Sequence, residues 1–348
     1  MQSHDSKNTG TKSERVLARR QIDLLSIAEG FFESSILFAL NKLDIFNIVG
    51  EDDKTLSQIA RETSAAPESL SRLLNAGVAT KFLVSNDAIT FCVAEKWKPV
   101  LLRSYGDSYL GSWLSLLHYL SASMIDLDQA AMDGKPTVNL LDSKVHDDIF
   151  EFTMAMHNYA VYRGRDLVRF LDLGDCRTLL DLGCGPGTYG LELASANPDL
   201  SLFLLDLPEV LEVTREVVEK YSINEPVNYL AIDVTQQEIP DSYDVVLVSN
   251  TLHMLSEENS RKLLQRLYRH VNPGGSLIVQ FQSLNDNRMG GRWPIMLDLV
   301  QMCITENGRN HSVGETREWM ENAGYKDIEY CGMTLMNTNG FLRGYRPD

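Results

Sequence analysis

Two hydrophobic rhythms divide the chain. Between residues 16 and 50 apolar side chains recur at helical spacing: Ile22, Leu24, Leu25, Ile27, Phe31, Phe32, Ile36, Leu37, Leu40 and Leu43. The stripe is wide and rich in Phe, which predicts either intrachain core or a dimer interface. In TLSQIARETSAAPESLSRLLNAGVATKFL, residues 55–83, Thr55 and Ser57 can cap one helix. Ala66-Pro67 restarts the chain, and Ser69 to Ala79 form a second helix. LVSNDAITFCVAEKW then sets Asn86-Asp87 between two short β-like runs, a hairpin signal. Helix, turn, helix and hairpin make a winged-helix pattern. Residues 105–170 carry several helices with a break near Asp133-Gly134-Lys135-Pro136. From 178 the rhythm changes, and short apolar strands alternate with longer amphipathic helices: TLLDLG, SLFLLDL, VNYLAID, YDVVLVSN, SLIVQFQ. This βαβ alternation predicts an α/β, doubly wound parallel sheet with helices on both faces. The expected organisation is a disordered polar lead-in at 1–15, a winged-helix domain at 16–104, a helical linker at 105–165 and the α/β domain at 166–348.

Charge and composition remove whole classes of function. The 348 residues carry a net charge of −16, which repels a phosphate backbone. The segment that would read DNA, PESLSRLLNAG, offers one Arg, one Glu and no Lys. No nucleic-acid partner is therefore expected. No apolar run approaches the roughly 20 residues of a membrane span. The five cysteines, Cys92, Cys176, Cys184, Cys303 and Cys331, show no metal-ligand spacing. With a polar N-terminus that lacks an apolar signal core, they point to a reduced cytoplasmic setting, and no metal is expected.

Candidate chemistry gathers where strands end. In LLDLGCGPGTYGLEL, residues 179–193, the strand ends near Asp181 and is followed by Gly183, Gly185 and Gly187. A dinucleotide fingerprint needs its third glycine three positions after the second, where Thr188 stands. The Lys-Ser/Thr end of a phosphate loop is missing too. The glycines therefore suit close backbone approach to a ligand that is neither of these. The next strand ends in Asp206, placed to accept both ribose hydroxyls of a nucleoside cofactor. The third ends in Asp233 and the fourth in Ser249-Asn250, and ligands of open α/β sheets bind along such strand ends.

These residues resemble those of the class I S-adenosylmethionine (SAM) methyltransferases. SNTLHMLSEENSRKLLQRLYRHVNPGGSLIV further resembles the small-molecule O-methyltransferase family of the caffeate, acetylserotonin and anthracycline type, over about residues 20 to 345. The resemblance implies a winged-helix dimerisation domain in front of a Rossmann-like SAM domain, and a homodimer. It implies a SAM-dependent methyltransferase that releases S-adenosylhomocysteine. Asp181, Gly183, Gly185 and Gly187 would lie along the methionine portion of SAM, Asp206 and Leu207 at the ribose, Asp233 and Val234 near the adenine, and Asn250 at the fourth strand end. FTMAMHNY matches the helix before the SAM domain, where Phe152 and Met156 would cover cofactor and acceptor, with His157, Tyr159, Tyr162 and Trp293 as further acceptor contacts.

By the same resemblance His253, in TLHML, is the catalytic base that takes the acceptor's proton; its ordinary pKa suits that work. The family steadies this His with two acids. Here strand five reads Leu277-Ile278-Val279-Gln280-Phe281, and Asn310 stands at the place of the second acid. A carboxylate partner would raise imidazole basicity and fix its tautomer; Asp286 is a substitute candidate. Arg163 and Arg165, and Arg288 and Arg292, are placed to grip an acceptor carboxylate. Tyr159, Tyr162, Tyr105 and Tyr109 are candidates to tolerate a product cation. An oxygen acceptor is the family default. S-methylation of a small carboxylate thioether of the 4-methylthio-2-hydroxybutyrate type, C-methylation, a non-methylating SAM-binding member and a nucleoside-sensing regulator stay open.

Overall fold

The computed structural model describes residues 12–138, 149–223, 226–333 and 339–348. The chain forms two compact units, Met1–Tyr109 and Leu110–Asp348.

In the first unit α1 (Lys12–Lys42) is one continuous helix. The stripe expected to run to residue 50 is broken at Asp44, whose φ of 55° is left-handed, and α2 (Ile45–Val49) starts there. Only Leu40 of α1 is buried; Ile27, Phe31 and Phe32 are 79%, 59% and 56% exposed, so most of the stripe is not intrachain core. Strand β1 (Lys54–Thr55) leads into α3 (Leu56–Thr63) through a capping box: Gln58 N donates to Thr55 Oγ1 at 3.3 Å and Thr55 N to Gln58 Oε1 at 2.8 Å. Pro67 opens α4 (Pro67–Ala79). Strands β2 (Leu83–Val84) and β3 (Thr90–Val93) complete the hairpin in a sheet of order β1-β3-β2. The turn is held by Asp87, which accepts from Ile89 N and Thr90 N at 2.8 Å each. Phe46, Ile59, Leu70, Leu74, Leu83 and Phe91 fill the core between these elements. A short α5 (Lys98–Leu101) follows.

The second unit opens with α6 (Gly111–Ser123), α7 (Leu127–Asp133) and α8 (Ile149–Phe170). Helix α8 runs unbroken through the expected boundary at 165/166, because buried positions such as Ala160, Val161, Gly164 and Leu167 continue its inward face. The lead-in at 1–11 and part of the linker at 139–148 lie outside the described residues. The α/β part follows as β4 (Thr178–Leu182), α9 (Thr188–Ala196), β5 (Ser201–Asp206), α10 (Pro208–Val218) and β6 (Asn228–Ala231). Then come β7 (Tyr243–Ser249), α11 (Glu257–Leu267), β8 (Val271–Gln282), α12 (Arg292–Ile304), α13 (Val313–Ala323), β9 (Lys326–Gly332) and β10 (Asn339–Tyr345).

Seven strands pair in the order β6-β5-β4-β7-β8-β10-β9. Strands β4 to β8 are parallel, as their alternation with helices predicts, and β10, antiparallel to both β8 and β9, makes the sheet mixed at one edge. Alternate residues feed two cores. Leu179, Val245 and Leu247 enter one; Leu180, Leu182, Val246 and Val248 enter the other. Burial on both faces is why these strands read as apolar runs, and each fully buried Leu or Val contributes about 1.5–3 kcal/mol. The chain extends from β4 towards β5 and β6, then returns to lay β7 on the other side. The carboxyl ends of β4 and β7 therefore flank a topological switch point, where open sheets leave a crevice.

Candidate functional site

The turn after β4 lies at that crevice. Gly183, Gly185 and Gly187 have φ of 64°, 52° and 73°. At Gly187 a Cβ would meet Leu204 Cδ1 at 2.9 Å, so this glycine is needed for packing on β5. At Gly185 a Cβ would meet nothing within 4 Å; the space beside it is open. The loop is fastened by backbone bonds from Gly183 N and Cys184 N to Leu205 O, at 2.9 and 3.1 Å. Thr214 Oγ1 on α10 donates to Gly185 O at 2.7 Å.

Asp206, at the end of β5, faces this loop. Its Oδ2 accepts from Gly185 N and its Oδ1 from Leu207 N, each at 2.8 Å. Burial raises its pKa, and the two amides oppose that rise. A carboxylate has about four lone-pair sites, so two remain to accept from a vicinal diol. An acid with spare acceptor capacity beside a turn with no Cβ fits a ribose-bearing cofactor. Leu207 starts α10 and is half-buried.

The other strand ends differ. Asp233 Oδ1 accepts from Thr235 N at 2.9 Å and from Thr235 Oγ1 at 2.6 Å, and its Oδ2 accepts from Gln236 Nε2. Its carboxylate thus shapes its own turn, and Thr235 lowers its pKa. The neighbouring Val234 carbonyl accepts from Arg266. Asn250 has a φ of 50°. Its Nδ2 donates to Gln280 Oε1 at 2.6 Å and to Tyr189 Oη at 3.3 Å. Asp181 does not line the crevice: it is 1% exposed, and its Oδ2 accepts from Gly190 N beneath α9 at 3.1 Å. Burial raises its pKa to about 7.

Helix α8 supplies a second group. Tyr159 stacks on Trp113 with ring centroids 4.6 Å apart, the Arg163 guanidinium lies 3.5 Å over its ring, and its hydroxyl accepts from Gln282 Nε2. Trp293 meets Trp113 edge-on at 6.4 Å. Arg163 Nε, Trp293 Nε1 and Gln280 Nε2 are buried donors with no hydrogen-bond partner among the described residues. Met156 is half-buried. His157 is buried and its Nδ1 lies 2.9 Å from Thr188 Oγ1, tying α8 to the start of α9. Tyr162 is exposed, with Arg165 5.6 Å over its ring. Of the other arginines, Arg165 pairs with Glu192 at 3.3 Å, Arg288 reaches Glu315 at 3.2 Å and Asp298 at 3.5 Å, and Arg292 is exposed. The free guanidinium expected of Arg288 is thus engaged by two acids.

His253 sits in a short 3-10 turn, Leu252–Met254. Burial, and secondarily the neighbouring His311, pushes its pKa down to about 4. Its buried Nδ1 has no partner among the described residues. Phe281 is buried in the core where an acid was looked for. Asn310 turns its Nδ2 to Pro294 O at 2.9 Å, and Asp286 Oδ1 accepts from Gly314 N at 2.8 Å, so none of the three gives His253 a carboxylate partner. Trp113, Tyr189, Gln280 and His311 escaped sequence reasoning. His311 and Gln280 carried a local signal, since His311 adjoins the anomalous Asn310 and Gln280 stands in the strand that lacks the family's acid. Among the described residues no group of three or more His, Cys, Asp or Glu is placed to hold a metal ion, and no helix is long and apolar enough to cross a membrane.

Comparisons with known proteins fit this arrangement. A family model described as an O-methyltransferase domain matches residues 138–326, and one described as an O-methyltransferase dimerisation domain matches residues 25–114. The chain is 23% identical over 336 residues to 3-hydroxy-5-methyl-1-naphthoate 3-O-methyltransferase of Streptomyces sahachiroi, covering 93% of this chain and 94% of that protein. It is 23% identical over 321 residues to acetylserotonin O-methyltransferase of Bos taurus, covering 88% and 92%. Among solved structures, human N-acetylserotonin methyltransferase in complex with SAM superposes with a TM-score of 0.81 at 20% identity, covering 98% of this chain and 99% of that one.

Proposed function

The chain belongs to the O-methyltransferase family, whose methyl donor is SAM, and from that premise we propose that it methylates a hydroxyl oxygen of a small-molecule acceptor at the crevice beside β4 and β7. The observation that carries the reading is the pairing of Asp206 with Gly185: a half-satisfied carboxylate beside open space.

When bound, SAM would supply a methyl carbon activated by its sulfonium, to which the acceptor oxygen bonds as the methyl–sulfur bond breaks and S-adenosylhomocysteine leaves as a neutral thioether. Asp206 would accept from the two ribose hydroxyls, with Leu207 beside it. Gly183, Gly185 and Gly187 would let the backbone approach the methionine portion. Asp181 acts from below by fixing Gly190 and the start of α9. Asp233 and Val234 shape the turn at the adenine end, and Asn250 orders the end of β7 through Gln280 and Tyr189. Tyr159, Trp113 and Trp293 form an aromatic wall that tolerates a nearby cation. Met156, half-buried on the same helix as Tyr159, is a further candidate contact, and Arg163 offers an unpaired donor to an anionic oxygen. His253 is neutral at ordinary pH and has a lone pair to take the acceptor's proton, but so low a pKa makes it a weak base. It therefore suits an acidic hydroxyl. The same weakness favours one second reading, S-methylation of a small carboxylate thioether, which needs no base.

A homodimer in the cytoplasm is part of the proposal. It is supported by the exposed Ile27, Phe31 and Phe32 on α1 within the segment matched as a dimerisation domain. Phe31→Glu with Phe32→Glu is expected to sediment as a monomer. The cofactor assignment is tested by titrating S-adenosylhomocysteine into wild-type and Asp206→Ala protein. Loss of binding in the variant supports it, and equal affinity contradicts it.

A further inference from the structure

The turn that carries His253 is gripped by one loop at two consecutive carbonyls. His311, at the end of that loop, places Nε2 3.2 Å from Leu252 O. A carbonyl only accepts, so Nε2 carries the proton and Nδ1 is bare. That Nδ1 is buried and unpartnered among the described residues, and the ring is 2% exposed. Three residues earlier, a Cβ on Gly308 would lie 2.7 Å from His253 O and 2.5 Å from Thr305 Oγ1; the loop's bare backbone is in contact with the turn.

The loop is itself anchored from several elements. Leu284 N, just beyond β8, donates to His311 O at 3.1 Å. Asn310 reaches Pro294 O on α12 with its side chain, and its N donates to Asp298 Oδ1 at 2.7 Å. Ser312 caps α13 in a capping box with Glu315. The His311 ring is held edge-on to Trp319 at 4.8 Å. The Leu252 carbonyl also accepts from Leu255 N at 3.0 Å and from Ser260 Oγ on α11 at 3.4 Å; His311 adds the link from this carbonyl to β8, α12 and α13.

We propose that His311 is a positioning residue for methyl transfer, which holds the His253 turn through the Leu252 carbonyl where a carboxylate is absent. This rests on the reading that His253 meets the acceptor. A neutral ring suits the task. Protonation would give buried Nδ1 a hydrogen without an acceptor and set a cation beside His253. Burial above all, with Arg309 and Arg288, keeps the His311 pKa below its ordinary value, against the opposing pull of the Leu252 carbonyl and of Glu315. The consequence is a His253 steadied through its backbone, not through its ring.

The test is imidazole nitrogen NMR on wild type, His311→Leu and His311→Gln, each saturated with S-adenosylhomocysteine. In wild type the His253 ring is expected to titrate near pH 4. In His311→Leu the midpoint rises by about one pH unit or more, because the neighbouring ring is lost and because the turn loosens and water reaches the His253 ring; Gly308→Ala, which keeps His311, isolates the second cause. Gln restores a donor to Leu252 O and much of the low midpoint. Turnover should fall by roughly tenfold to a hundredfold in the Leu variant and recover in Gln, with cofactor affinity unchanged. Gly308→Ala, which pushes the loop off the turn while keeping His311, should shift His253 as the Leu variant does; it also serves if that variant fails to fold. An unmoved His253 midpoint in both His311→Leu and Gly308→Ala, or a Gln variant as damaged as the Leu variant, overturns the proposal. The ring readout needs no acceptor. If His253→Ala leaves methyl transfer unchanged while His311 still governs the ring, the catalytic reading fails separately.

Discussion

At the end of β5 the Asp206 carboxylate is held by two backbone amides, whereas beyond β7 the buried Nδ1 of His253 has no partner among the described residues. The first group is placed by main chain that follows from glycines and strand ends. The second is placed by a loop from elsewhere in the sequence, through His311 and Gly308. Backbone-held groups tolerate neighbouring side-chain changes; loop-held groups are tuned by them. A cofactor shared by a family suits the first kind of site, and an acceptor particular to one enzyme suits the second.

The largest expected effect breaks the first half of this contrast. Hydrogen bonds to a charged group contribute about 1.5–3 kcal/mol each, so Asp206→Ala should weaken S-adenosylhomocysteine binding by roughly a hundredfold in calorimetry, with the fold kept but the unfolding transition lowered as Gly185 N and Leu207 N lose their acceptor. Two glycines sharpen it. Gly187→Ala combines strained φ with a clash at Leu204 and should destabilise the fold by about 2–3 kcal/mol by urea titration. Gly185→Ala meets no protein atom, so beyond about 1 kcal/mol of strain its penalty should appear in cofactor affinity.

On the other side, His253→Ala should lower turnover of a hydroxyl acceptor by about a hundredfold, the low end for general-base catalysis, because the base is weak. Cofactor affinity should not move.

The two regions also differ in pH response. The pKa of Asp181 is raised from 3.8 to about 7, so its favourable contribution is full below pH 3.8 and is lost as pH rises towards 7. Asp181→Asn should remove that loss, on the order of 2 kcal/mol, when urea midpoints at pH 5 and pH 8 are compared. The pKa of His253 is lowered from 6.5 to about 4, so the unfolded chain binds more protons between those values and stability rises with pH there. His253→Ala should flatten that rise. The smallest effect is expected of Thr214→Val, which frees the Gly185 carbonyl and should cost about 1 kcal/mol of cofactor affinity.

The glycine turn, Asp206 and the strand ends were legible because local pattern determines them: apolar runs mark the strands, and the crevice follows from their order. The capped α3 and the hairpin at Asp87 were legible for the same reason. Strands β9 and β10 were not. β9 is an edge strand with mostly exposed side chains, and its polar sequence lacks the buried-strand signature. The break between α1 and α2 at Asp44 was hidden because a single left-handed residue leaves the apolar spacing almost intact. Asp181 looked like a cofactor contact because it shares the motif, yet strand alternation turns it under α9. That the family's two acids are missing was readable at Phe281 and Asn310. That His311 meets Leu252 was not, since 59 residues separate them.

The account's central claim is methyl transfer from SAM to an oxygen at this crevice. Its most direct test offers the protein SAM with a deuterated methyl group and a panel of phenols, aliphatic hydroxy acids and methylthio acids, read by mass spectrometry. The account predicts label on oxygen, lost in Asp206→Ala. Label on sulfur or carbon, or bound SAM that never gives up its methyl group to any of them, would contradict it.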